Sequence, residues 1–97
     1  MEHDDPDRLA RAARAGDREA FRGLFLATHR DLRLYIAAHG VSREQVEETL
    51  QATYVAALEK IATYRDDGAA RPWLKRIAYH QLVDRWREQR RQAALEG

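Results

Sequence analysis

The chain has 97 residues, 44% apolar and 34% charged, with no cysteine and a formal net charge of +1. Those figures describe one folded domain with a modest core, and they exclude a disordered chain, a disulfide scaffold, thiol chemistry and a cysteine-based zinc site. The start MEHDDPDR is acidic, unlike a secretory signal, and no apolar run nears the ~20 residues that cross a bilayer, so the expected compartment is the cytoplasm.

Helix formers dominate, Gly and Pro are scarce, and no segment alternates with period two. A short first helix is predicted from about Asp7 to Ala15, with Leu9, Ala12 and Ala13 as its apolar stripe and Gly16 as its stop. Asp17 caps a second helix, on which Phe21, Leu24, Phe25, Thr28, Leu32, Tyr35 and Ile36 recur at three- and four-residue spacing until Gly40. Ser42 to Gln45 reads S-x-x-Q, a capping box that satisfies two orphan amide donors at once. The third helix follows, with Val46, Leu50, Thr53, Tyr54, Ala57, Leu58 and Ile61 as its expected buried face. Residues 64–70 break the period and read as a loop, and Pro72 fits the first turn of a fourth helix over 71–91. The expected fold is all-α, a compact bundle of three long helices plus a short N-terminal one, in a single domain over 1–97.

The fourth helix has two unlike faces. Trp73, Leu74, Ile77, Ala78, Gln81 and Leu82 form a core stripe, whereas Lys75, Arg76, Tyr79, His80, Val83, Trp86, Arg87 and Arg90 point the other way. The charge follows the same division. Residues 1–67 hold 10 Lys and Arg against 13 Asp and Glu, while residues 68–97 hold 7 against 3. Cations alternating with rings suit a nucleic-acid strand, since cations meet phosphates and rings give unpaired bases a platform for stacking. The plainer reading is a solvated basic face with Tyr79 and Trp86 partly tucked against a neighbour.

Catalytic constellations are missing. The histidines His3, His29, His39 and His80 show no metal-ligand spacing, and nothing near the helical neighbours His29 and Arg33 resembles a nucleophile. The carboxylate pairs Asp4/Asp5, Glu47/Glu48 and Asp66/Asp67 fall on a terminus, a helix face and a loop, and a bundle this small offers little cleft. There is no Gly-rich phosphate loop, so the chain is expected to be neither an enzyme nor a cofactor carrier.

Three segments in order carry a resemblance: GDREAFRGLFLATHRDLRLYI, VEETLQATYVAALEKIATYR and ARPWLKRIAYHQLVDRWREQRR. Together they resemble region 2 of bacterial sigma factors of the extracytoplasmic-function group, over almost the whole chain. The first looks like that group's opening helix, with Gly-Asp before Ala-Phe. The second has the acid, glutamine and aromatic spacing of the next element. The third has its Trp-Leu, Ile-Ala, later Asp and closing arginines.

The resemblance implies a sigma region 2-like bundle that serves transcription initiation. The element matching residues 46–58 would dock on a coiled coil of the largest subunit of the RNA polymerase core, through Glu48 and Gln51 with Ala52 beside them. The last helix and the loop before it would bind the non-template strand of the −10 promoter element as it unpairs. Carried over by position, the strand-facing residues are Arg65, Arg71, Lys75, Arg76, Tyr79, His80, Val83, Arg87 and Arg90, while Trp73 belongs to the core. Three positions depart from the family pattern. Glu48 stands for an Asp, Ala52 for an acid, and His80 for an Asn that could read a base edge. The second helical domain of such factors, which reads the −35 element, is absent from this chain. The alternative is a sigma-like interaction module that binds an anti-sigma factor or other regulator without opening DNA.

Overall fold

Asp5 accepts a hydrogen bond from the Asp7 amide at 3.1 Å and Pro6 needs no donor in a first turn, so α1 (Pro6–Arg14) starts one residue ahead of expectation. This is a computed structural model, describing residues 5–65 and 69–97. Gly16, at φ 110°, turns the chain out of α1. Asp17 then accepts from the Ala20 amide at 3.1 Å and opens α2 (Arg18–Ala37). The capping box is present as read: Ser42 Oγ and Gln45 Oε1 each accept from the other residue's amide at 3.1 Å and start α3 (Arg43–Lys60). After a 3-10 turn at Ile61–Thr63, α4 runs over Ala70–Glu96, further at both ends than 71–91. Among the described residues there is no strand.

The side-chain pairings set the topology. Arg33 of α2 meets Glu47 of α3, and Thr28 meets Tyr54, so these helices are antiparallel. Glu48, near the start of α3, meets Arg85 in the second half of α4, and because α2 is antiparallel to α3 and runs the same way as α4, this pair is antiparallel too. Asp31 of α2 meets Arg71 and Lys75, and His39 lies near Tyr79 and Trp86, so α2 and α4 run the same way. α1 packs along α2 and touches the start of α4.

Leu24, Leu32, Ile36, Leu74 and Leu82 form the fully buried centre. Each such side chain contributes ~1.5–3 kcal/mol through removal of its apolar surface from water. The core also holds hydroxyls. Thr28 Oγ1 donates to the Leu24 carbonyl at 2.7 Å, which leaves its lone pair for the Tyr54 hydroxyl 2.6 Å away. Burial pushes the Tyr54 phenol up from its ordinary range, partly offset by the bond to Thr28.

The expected core needs correction at its edges. Leu58 is 55% exposed and Phe25 is 36% exposed, because both sit on the flank of the α2–α3 contact, where no further helix among the described residues covers them. Ile61 is only partly buried, at the 3-10 turn. Conversely, Thr49 and Ala56 are buried, and so is Tyr64, which the broken period had assigned to a loop. Its ring stands edge-on to Trp73, with centroids 5.3 Å apart.

Candidate nucleic-acid interface

The start of α4 has no cap of its own. Ala69 occupies the N-cap position, and the helix's first amide, that of Ala70, donates instead to Asp7 Oδ1 of α1 at 2.6 Å. Arg14 of α1 donates to the Tyr64 carbonyl at 2.8 Å. α1 therefore grips the connection between α3 and α4 on both sides. Asp66, Asp67 and Gly68 of the predicted loop lie outside the described residues, as do His3 and Asp4. Arg65 is exposed at the loop's start.

The inner face of α4 buries Leu74, Ile77, Ala78 and Leu82, with Trp73 and Gln81 half-buried at its edge. The opposite face exposes Arg76, Tyr79, His80, Arg87 and Arg90, with Val83 half-buried between them. At 1.5 Å per residue, Arg76 to Arg90 spans about 21 Å along the helix. Tyr79 keeps 45% of its surface exposed.

The cations of α4 fall into two sets. Arg71 and Lys75 turn towards α2 and share Asp31 Oδ2, at 3.4 and 3.7 Å, and Lys75 Nζ also lies 5.6 Å from the centre of the Tyr35 ring. Arg85 pairs with Glu48 at 3.1 Å and Arg91 with Glu88 at 2.7 Å. Arg76, Arg87 and Arg90 have no ion pair among the described residues. The outward face is thus narrower than the helical wheel suggests. Arg71 and Lys75 stand on its flank, and Trp86 is half-buried against the core. One acid shares the neighbourhood: Asp84 lines a shallow groove with Lys60, Trp73, Arg76, His80 and Arg87.

On α3, Glu48 and Gln51 are exposed and Ala52 is half-buried, all three lining a groove against α4 with Arg85 and Glu59. Around the helix from them lies an apolar strip formed by Phe21, Phe25, Leu50, Tyr54, Val55 and Leu58. Glu47 stands beside it, gripped by Arg33 through two bonds of 2.7 and 3.1 Å. The hydrogen bond from Arg33 holds the Glu47 carboxyl below its ordinary range. His29 Nδ1 is 3.3 Å from Arg33 Nη1, and its ring stacks on Phe25. No group of three metal-ligating side chains occurs among the described residues.

Sequence reasoning missed Asp7, Arg14, Arg85 and His39 as parts of this region. For Asp7 and Arg14 there was no local signal, since each acts on a backbone group at least fifty positions away. Arg85 could have been found, because on the wheel it sits among the inward residues of α4, where a cation needs an acidic partner.

The model of the Sigma-70 region 2 family matches residues 24–92. The chain is 35% identical over 86 residues to the extracytoplasmic-function RNA polymerase sigma factor SigM of Mycobacterium tuberculosis, covering 89% of this chain and 43% of that protein. It is 34% identical over 76 residues to the RNA polymerase sigma factor NccH of Alcaligenes xylosoxydans xylosoxydans, covering 78% of this chain and 41% of the relative. It is also 34% identical over 100 aligned positions to the RNA polymerase sigma factor CnrH of Cupriavidus metallidurans, covering 100% of this chain and 51% of that protein. The chain thus spans about half, or less, of the length of these curated relatives. No helix among the described residues is long and apolar enough to cross a membrane.

Proposed function

The chain belongs to the Sigma-70 region 2 family, in its extracytoplasmic-function branch, and from that premise we propose that it is the part of a transcription initiation factor that docks on the RNA polymerase core and recognises and helps to melt the −10 promoter element. It acts by binding alone, without catalysis or cofactor, in the cytoplasm where polymerase works. The observation that carries this reading is the face of α4, where Arg76, Arg87 and Arg90 have no ion pair among the described residues and stand beside the exposed ring of Tyr79.

The arginines meet phosphates spaced along the unpaired non-template strand, and each contact releases counterions. Tyr79 supports a base, with His80 and Val83 alongside, and stacking is worth ~1–3 kcal/mol per base. A surface that binds the open strand and not the duplex draws the promoter towards the open state by that difference in affinity. Arg65, Arg71 and Lys75 carry the positive field round the flank of α4. Glu48, Gln51 and Ala52 face the core polymerase, whose coiled coil would supply basic partners. Arg85 occupies only Oε1 of Glu48, and the carboxylate's other oxygen stays available to such a partner.

Co-purification with core polymerase tests the docking half, and Glu48→Arg and Gln51→Ala should each weaken it. Titration of a single-stranded −10 oligonucleotide over a salt series tests the other half. No binding to either partner would sink the proposal. The second reading, an interaction module for an anti-sigma factor or other regulator, draws on the apolar strip of Phe21, Phe25, Val55 and Leu58, which suits a helical protein partner. It predicts regulator binding without any affinity for the oligonucleotide.

A further inference from the structure

One flank of the outward face is built by α2. His39 lies just past the C-cap residue Ala38, in a turn closed by its own amide on the Ile36 carbonyl and by the Gly40 amide on the Ala37 carbonyl, both at 3.0 Å. His39 Nδ1 is 3.0 Å from the Tyr35 carbonyl oxygen. A carbonyl only accepts, so Nδ1 carries the proton in this bond. Backbone and side chain are therefore both tied, and the orientation of the imidazole is set. Its ring stands edge-on to Tyr35 at 4.9 Å, and lies 6.0 Å from Tyr79 and 6.2 Å from Trp86. Tyr79 makes no hydrogen bond among the described residues, so packing alone directs its ring.

We propose that His39 is a positioning residue for strand binding: it backs the Tyr79 ring so that the ring's other side is presented to an unpaired nucleobase. The proposal rests on the reading of α4 as the DNA-binding helix. A tyrosine on an open helix surface samples several rotamers, and stacking a base on it costs the entropy of choosing one. A ring held from behind has met that cost before the strand arrives. His39 acts through Tyr79 and touches no phosphate, so its contribution is independent of salt.

The test uses the full chain assembled with core polymerase and a fluorescently labelled, single-stranded non-template −10 oligonucleotide, read by anisotropy over a salt series. His39→Ala is expected to weaken binding about fivefold with an unchanged salt slope, whereas Arg87→Ala lowers the slope by about one. His39→Phe keeps a ring at the position and restores most of the affinity. In a Tyr79→Ala background, His39→Ala adds no further loss. Should His39→Ala fail to fold, His39→Gln, which keeps a donor but no ring, takes its place with the same expected loss. An equal loss with and without Tyr79 would overturn the proposal, as would wild-type affinity in every His39 variant. If the unaltered chain ignores the oligonucleotide, the DNA-binding reading itself falls and this inference with it.

Discussion

The seams that α2 makes with α3 and with α4 are closed by different means. Against α3 it uses a buried hydroxyl pair, Thr28 with Tyr54 at 2.6 Å, and a two-bond grip of Arg33 on Glu47. Against α4 its polar contacts are looser. Asp31 serves two cations at 3.4 and 3.7 Å, Lys75 lies over Tyr35, and His39 touches Tyr79 and Trp86 at ring distances near 6 Å. Short directional bonds specify one arrangement, whereas point charges and ring edges tolerate small displacements. The α3 seam holds the fold in register. The α4 seam rests on apolar packing, half-exposed charges and ring contacts instead.

Both seams stand on one core, so the largest effect belongs there. Ile36→Ala, at a fully buried position, should cost ~2–5 kcal/mol in thermal or denaturant unfolding. Charge reversal on the outward face should do the opposite, changing binding and not folding. Arg76→Glu with Arg87→Glu is expected to weaken oligonucleotide binding about a hundredfold while leaving the unfolding midpoint in place, because neither side chain has an ion pair to lose among the described residues. A fall in stability of comparable size would mean that these arginines hold the fold and not only the strand.

Smaller effects compare the seams directly. Thr28→Val leaves the Tyr54 hydroxyl buried without its partner and should cost ~1–3 kcal/mol. Asp31→Asn, at the half-exposed pair site facing α4, should cost less than ~1 kcal/mol. If the two costs come out equal, the seams are not mechanically different. The smallest effect is on pH dependence. Glu47 is held below its ordinary range by Arg33, so its contribution to stability is present above the unfolded carboxylate range and fades as the pH falls through the lowered value. Glu47→Gln should therefore flatten the acid limb of the stability profile slightly while leaving its shape near neutrality.

Helix identities and caps were legible because they depend on neighbours in the chain. Asp17, the Ser42–Gln45 box and the inward stripe of α4 needed only local spacing. Coverage was not legible. Leu58 and Ala57 are adjacent, yet one is 55% exposed and the other fully buried, and only the placement of α2 and α4 decides which. The same holds within the candidate site. Tyr79 and Trp86 look alike on a wheel, but Trp86 is drawn half under the core and Tyr79 is not. Arg85 and Arg87, two positions apart, separate into a fold contact with Glu48 and an outward cation.

The bond from the Ala70 amide to Asp7 has a consequence for how the domain is delimited. The match to the family model runs over 24–92 and leaves out α1, the element that grips both sides of the connection into α4. Trimming to the family boundary would keep every arginine of the outward face and still untether the helix that carries them. In mechanical terms α1 is a fastening of that last helix, although the family model's match starts within α2.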